Sequence, residues 1–369
     1  MDKTVSMLFS LLRAALWPER REPIAFGEAI DWPKLYRLAS EQGVLAMVWD
    51  GLQRVVREEQ IAEALLPPRS LKLQWAVNVE QIEQRYRRQE GALATLATFY
   101  QRHQIKLMLL KGYGLSLQYP VPEHRPCGDL DIWLYGEQQR ADDLLRAKGV
   151  KIDEDKHHHT VFSVKGVMVE NHYDFLNVHS HRSNREVERW LQAEAREAGR
   201  TVSVGEAAIE LPSPDFNALF LLRHAAAHFA AAEIGLRQLI DWVLFVHHDG
   251  AQVDWPKLVE RARKVNMHRF LAVINRLSVD YLGLDRSAVE AVEGTLKADD
   301  ELTQRALHDI LFPRYGVVPQ RGVVALLCFK LRRWWAHRWK HRMVYREGLL
   351  QTFFVQLWSH LLKPKSFTH

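Results

Sequence analysis

The run Arg125-Pro-Cys-Gly-Asp-Leu-Asp-Ile-Trp-Leu134, preceded by Leu110-Lys-Gly-Tyr-Gly114, carries the most chemistry in this chain. Leu130, Ile132 and Leu134 are apolar, as a strand over Leu130–Tyr135 packed on a core requires. Asp129 and Asp131 are two apart, and side chains alternate along a strand, so the two carboxylates share a face. Carboxylates held side by side repel each other unless a cation sits between them. Magnesium takes hard oxygen ligands and prefers a few carboxylates plus substrate phosphates. A strand end with two solvated aspartates has the same spacing. Just upstream, Ile105-Lys-Leu-Met-Leu-Leu110 is a short apolar run that suits a buried strand and ends at Lys111-Gly112.

A third carboxylate follows. His158–Val164 and Val167–Tyr173 read as two strands joined by Lys165-Gly166. Glycine at the second loop position permits the positive φ of a tight hairpin turn. With a two-residue loop, Val164 faces Val167, Glu170 faces Val161, and His172 faces His159. Glu170 and His172 then share one face. Glu170 lies in an otherwise apolar strand, and a buried Glu needs a partner. If this strand lies beside the aspartate strand, three carboxylates converge. Without an ion they repel, so at least one is expected to have a raised pKa. Removal of one charge, as in Asp131→Asn, is expected to relieve that repulsion.

Outward from this centre the chain reads as helical. Asp31 can cap a helix with Pro33 in its first turn, Gly43 ends it, and Val44–Leu52 resumes. A long helix is expected over about Ser70–Arg102, with Trp75, Val79, Ile82 and Tyr86 on one face. The string Asp31-Trp-Pro-Lys-Leu35 recurs as Asp254-Trp-Pro-Lys-Leu258. Its flanks barely match, so two independent helix starts using one cap chemistry are favoured over a duplication. A helix is expected at Gln138–Lys148, and from Pro212 the chain is helical again. The fold class expected is α+β and helix-rich. Residues 1–102 form an N-terminal helical region, 103–205 a small mixed-sheet core, and 206–369 a C-terminal helical domain.

At these residues the chain resembles the uncharacterised nucleotidyltransferases of the polymerase-beta-like superfamily. The resemblance rests on the Lys-Gly after a strand, the Arg-Pro-x-Gly-Asp-x-Asp run, and a later strand with Glu-x-His. It covers about Asp31–Val246, including Glu41-Gln-Gly-Val44 and a later helix pair with His224, His228, Arg237 and Asp241. One departure stands out: the superfamily usually has serine after the strand-end glycine, and here Tyr113 follows Gly112. The resemblance implies magnesium-dependent (or manganese-dependent) transfer of a nucleoside monophosphate from a nucleoside triphosphate to an acceptor hydroxyl. Asp129, Asp131 and Glu170 would hold the metal, with Glu170 as ligand or base. Gly112 would let the backbone approach a phosphate closely. Lys111 and Arg125 would meet phosphate oxygens, Arg bidentately. A phosphotransferase using the same carboxylates, and a nucleotide-binding module without turnover, are the alternatives.

The histidines divide into two groups. In His157-His-His159, strand alternation is expected to send His158 to the opposite face, so the three cannot converge. His159 and His172, paired across the hairpin, either orient the acceptor or form a plain cross-strand polar pair. His224 and His228 are i, i+4 on one helix face, a spacing that also suits zinc. No Glu follows His224, so a polar cluster with Asp241 on the acceptor side of the cleft is preferred.

Composition sets the outer bounds. The chain has 369 residues, which suggests about two domains. Hydrophobic residues at 47% and charged residues at 26% exclude wholesale disorder. A net charge of +5 is too weak to argue for nucleic acid by itself. Two cysteines, Cys127 and Cys328, exclude a disulfide framework. Arg13 interrupts the apolar run Ser6–Trp17, which reads as an amphipathic helix and not as an export signal. A cytoplasmic protein is expected, with one qualification. Lys330–Arg346 is strongly basic and interleaved with Trp334, Trp335 and Trp339. Such a segment suits RNA or an anionic membrane surface, and the apolar stretch Leu349–Leu362 behind it leans toward the membrane. A helix with tryptophans in the core and solvated charges has the same pattern.

Overall fold

The structure, a computed structural model, describes residues 2–21, 24, 30–59, 61–155, 158–197, 199–231, 233–314, 323–349 and 351. The N-terminal arm holds α1 (Lys3–Leu16), α2 (Trp32–Glu41) and α3 (Leu45–Glu58). The Asp31 carboxylate accepts from the Lys34 N–H at 3.0 Å and starts α2, with Pro33 in the first turn. Then comes α4 (Arg69–Arg102), 34 residues and about 51 Å long. Two different cores explain its length. Trp75 and Val79 pack into the helical core, while Tyr86, Leu93, Leu96 and Tyr100 cover one face of the sheet.

The sheet has six strands: β1 (Met108–Leu109), β2 (Asp129–Trp133), β3 (His159–Val164), β4 (Val167–His172), β5 (Arg200–Val204) and β6 (Ala207–Leu211). Their order is β3-β4-β2-β1-β6-β5. β2 is parallel to β4 and β1 to β6, and the other neighbours are antiparallel. The α+β, helix-rich architecture is the one expected. α5 (Tyr113–Ser116) follows β1, α6 (Gln138–Ala147) follows β2, and α7 (Arg182–Glu194) precedes β5. Lys165 and Gly166 both have positive φ, 50° and 77°, so the β3–β4 turn is the tight kind the sequence predicted. His159 pairs with His172 and Val161 with Glu170, the predicted register. Two features differ from expectation. β1 is only two residues long. The β5–β6 hairpin turns at Gly205 and carries the sheet past residue 205 to Leu211.

The C-terminal part is helical: α8 (Pro214–Ala231), α9 (Leu236–Asp249), α10 (Trp255–Lys264), α11 (His268–Leu282), α12 (Glu290–Glu293), α13 (Asp300–Leu311), α14 (Val323–Ala336) and α15 (Arg338–Val344). α10 starts as α2 does, with Asp254 accepting from the Lys257 N–H at 3.0 Å. The basic segment is split between roles. Lys340 is fully buried against Asp309, Arg333 pairs with Glu233, and Arg346 with Glu186. Trp339 packs on the core beneath Arg305. Lys330, Leu331, Arg332, Trp335, Arg338 and Arg342 are exposed. Most of the apolar stretch 349–362 lies outside the described residues. Among the described residues, no helix is long and apolar enough to cross a membrane.

Candidate active site

The parallel pairing of β2 with β4 sets Asp131 opposite Glu170. β3 on the far side of β4 sets His159 opposite His172. Two neighbouring rows on one face, Asp131–Glu170 and His172–His159, therefore gather polar side chains from three adjacent strands. His172 Nε2 lies 3.1 Å from Asp131 Oδ1 and 3.6 Å from Glu170 Oε2. His159 Nε2 lies 3.7 Å from Glu170 Oε1. The His172 ring is oriented from behind, its Nδ1 lying 3.1 Å from the Asp174 carbonyl. Lys111, two residues past β1, places Nζ 3.1 Å from the same Asp131 Oδ1. Asp131 is 1% exposed, so this contact is made away from water.

The charges follow from this packing. Burial opposes ionisation of Asp131, but Lys111 and His172 outweigh it and hold the carboxyl below the usual range. Burial also opposes the charged His172 ring, yet Asp131 and Glu170 hold its pKa up at about 9. Lys111 is likewise kept protonated by Asp131 and Asp129 against the cost of burial. Asp129 is the carboxylate pushed upward, by burial and by the charge on Asp131. This is the raised acid expected from the sequence.

Asp131, Glu170 and His172 each present a donor atom within 4.8 Å of the others. Asp129 stands outside that triplet and lines the neighbouring cleft with Lys111 and Gly112. The cleft, of about 150 Å³, is closed on its other side by Leu221, His224, Leu239, Trp242 and Ile274. α4 supports its polar rim: the Gln89 amide donates to the Asp129 carbonyl at 2.6 Å, and the Tyr113 hydroxyl donates to Glu90 at 2.8 Å. Gly112 has φ 64° and ψ −114°, a conformation that side chains rarely adopt. A Cβ there would lie 3.5 Å from the Asp129 carbonyl oxygen.

Three sequence expectations are redirected. Arg125 was assigned to phosphate, but its Nε and Nη2 donate to the two oxygens of Asp241 at 2.7 and 2.8 Å, and Nη1 lies 3.0 Å from Cys127 Sγ. The guanidinium is committed inside the fold, because Asp241 offers a matching fork at the cleft wall. Asp241 also accepts from the Tyr119 hydroxyl at 2.6 Å, so its partners are Arg125 and Tyr119 and not the histidines. His224 and His228 do meet, with ring centroids 4.5 Å apart. Burial and the nearby Lys111 lower the pKa of both rings. Finally, His158 does not point away from its neighbours. β3 begins only at His159, so strand alternation does not govern His158, whose ring centroid lies 4.3 Å from His159 and 5.6 Å from His172. His157 lies outside the described residues. Gln89 was missed altogether, because a polar residue inside a long helix carries no sequence signal.

A family model of uncharacterised nucleotidyltransferases matches residues 28–283. The chain belongs to this family. Among curated proteins none matches it. The solved structures it resembles include the crystal structure of an antigenic nucleotidyltransferase-like protein from Paracoccidioides brasiliensis. Identity to that chain is 12%, the match covers 57% of this chain and 94% of the other, and the TM-score is 0.34.

Nucleotidyltransferases usually use divalent metals, and Asp131, Glu170 and His172 are close enough together to share one. Asp131 Oδ2 is buried and accepts no hydrogen bond from the described residues. A buried carboxylate oxygen without a donor is costly unless something else satisfies it. The Asp131 and Glu170 carboxylates offer hard oxygen donors of the kind magnesium and manganese take, with Asp129 in the adjoining cleft. The residues present fit such an ion.

Proposed function

We propose that this nucleotidyltransferase moves a nucleoside monophosphate from a nucleoside triphosphate to an acceptor hydroxyl, with magnesium or manganese held by Asp131, Glu170 and Asp129. The observation that carries the reading is the buried, unsatisfied Asp131 Oδ2 beside Glu170 and His172. Bound there, a divalent cation would neutralise charge on the phosphoryl oxygens during in-line displacement. Glu170 accepts the proton of the acceptor hydroxyl as its oxygen attacks the α-phosphorus. The bond from that phosphorus to the β-phosphate oxygen breaks, and pyrophosphate leaves. Lys111 turns from Asp131 to the triphosphate oxygens. Gly112 admits the phosphates close to the backbone. Arg125, locked by Asp241, shapes the cleft wall. His159 and His172 hold the Glu170 carboxylate in place, and His224 with His228 lines the acceptor side.

The test uses triphosphates labelled at the α- or γ-phosphorus, with Mg2+ and cell-extract small molecules and RNA as acceptors. Transfer of the α-label with pyrophosphate release supports the proposal. Transfer of the γ-label indicates a phosphotransferase, and binding without any transfer indicates a nucleotide-binding module. Asp131→Asn is expected to abolish transfer. Acceptors that co-purify with this inactive variant and are identified by mass spectrometry would name the substrate class. The exposed Lys330, Arg332, Trp335 and Arg338 support an acceptor or anchor that is polyanionic, RNA or an anionic lipid surface. Such binding should weaken steeply with added salt. Salt-insensitive binding would exclude that contact.

A further inference from the structure

We propose that His158, His159 and His172 form a second metal site, selective for a transition ion of the Zn2+ class. Each ring offers a nitrogen within 4.8 Å of the other two. Three imidazoles are the donors that zinc, cobalt, nickel and copper take, whereas magnesium takes oxygen. A carboxylate stands ready beside them: Glu170 oxygens lie 3.7 Å from His159 Nε2 and 3.6 Å from His172 Nε2.

The backbone holds the three rings in place. The His158 carbonyl accepts from the N–H groups of Tyr173 (3.1 Å) and Asp174 (3.2 Å), tying the start of β3 to the end of β4. His159 and His172 are direct cross-strand partners. His172 Nδ1 faces the Asp174 carbonyl, which leaves Nε2, now 3.1 Å from Asp131 Oδ1, as the nitrogen that a metal ion would take in place of its proton. His159 and His172 are buried and His158 is half-buried, so the rings are sheltered from solvent.

His172 belongs to both donor sets. It is one of three imidazoles on the β3 side and the partner of Asp131 and Glu170 on the β2 side. A zinc ion on the histidines therefore draws His172 and Glu170 away from the carboxylate site. Zinc occupancy inhibits transfer, a consequence that rests on the proposed function above.

The test on the site itself needs no activity. The full chain is titrated with Co2+ in excess Mg2+ and without nucleotide, and the visible absorption of bound cobalt is followed. Zn2+ is then added as competitor. The wild type is expected to bind one Co2+ that Zn2+ displaces. His158→Ala is expected to weaken binding by more than about tenfold, and Asp129→Asn to leave the spectrum unchanged. No cobalt binding, or binding that survives His158→Ala, overturns the proposal. So does a spectrum that Asp129→Asn removes, because the ion then sits among the carboxylates. X-ray absorption on the zinc-loaded wild type counts the imidazoles without any substitution: three support the site and two or fewer refute it. In the transfer assay, His158→Ala should keep its Mg2+-dependent rate and resist Zn2+. Equal zinc inhibition of both proteins overturns the sharing of His172. If no transfer is detected under any condition, the functional reading has failed, and the cobalt spectrum still decides the site.

Discussion

Replacement of Asp131 by asparagine tests how the site holds its charge. Three carboxylates alone would repel, and loss of one charge would stabilise the protein. The structure reverses that sign. Lys111 Nζ and His172 Nε2 both lie 3.1 Å from Asp131 Oδ1, and Asp131 is 1% exposed. Without the carboxylate charge, the buried His172 ring and the half-buried Lys111 ammonium face each other across a neutral amide. Removing one partner of a buried ion pair costs about 3–5 kcal/mol. His172 can shed its proton in response, which places the cost near the lower end, about 3 kcal/mol. Unfolding entropy is ~2.1 cal/mol/K per residue. For 369 residues a loss of that size lowers Tm by about 4 °C. Scanning calorimetry in EDTA measures it. The double variant Asp131→Asn with Lys111→Met should lose less than the two single losses combined, by about 0.5–3 kcal/mol. An Asp131→Asn protein that melts at or above the wild type in EDTA refutes the reasoning.

Three further outcomes are expected. Gly112→Ala forces a side chain into φ 64°, ψ −114°, which should cost about 1–3 kcal/mol and weaken triphosphate binding in calorimetric titration; unchanged stability would mean that the backbone there is not constrained. Asp241→Asn leaves the buried Arg125 guanidinium without its counter-charge and should cost about 3–5 kcal/mol, much of it recovered in Asp241→Asn with Arg125→Met; no recovery would show that the pair is not the cause. His124 lies 2.6 Å from Asp50 and 3.0 Å from Glu83; burial opposes its charge, but the two carboxylates raise its pKa. That stabilisation is complete below the unfolded value near 6.5 and fades as pH rises through the higher folded value, so Tm should fall more steeply with pH in the wild type than in His124→Gln, and equal slopes would exclude the contribution.

The hairpin part of the candidate site was legible because its cause is local. A two-residue turn fixes hairpin register, and a slip of one residue would turn every side chain over. His159–His172 and Val161–Glu170 therefore followed from Lys165-Gly166 alone. The long helix was legible from Trp75, Val79 and Tyr86 at helical spacing. What escaped depends on contacts between distant segments. Nothing near Arg125 announces that Asp241, 116 residues later, will take its guanidinium. β5 and β6 were passed over because Ala207-Ala-Ile-Glu-Leu211 is weakly apolar, and its place is set by parallel pairing to β1. His158 was misplaced because alternation was extended one residue beyond the strand.

Lys111 links these observations. It lies between β1 and Gly112, so the turn that in the proposed function would bring backbone close to a phosphate also delivers an ammonium group to Asp131. In the protein alone, that ammonium and the His172 ring balance a carboxylate that would otherwise be buried and uncompensated. Asp131 Oδ2 is still unsatisfied, so the balance is incomplete. A triphosphate that attracts Lys111 removes part of it and makes Asp131 a stronger cation ligand. A cation on Asp131 in turn releases Lys111 toward the phosphates. Coupling free energies are reciprocal, so the proposed function predicts that nucleotide and divalent ion each tighten the other. Lys111→Met, which removes the shared group, should bind divalent ion more tightly in the absence of nucleotide and lose the cooperativity, and equal coupling in both proteins would remove Lys111 from this role.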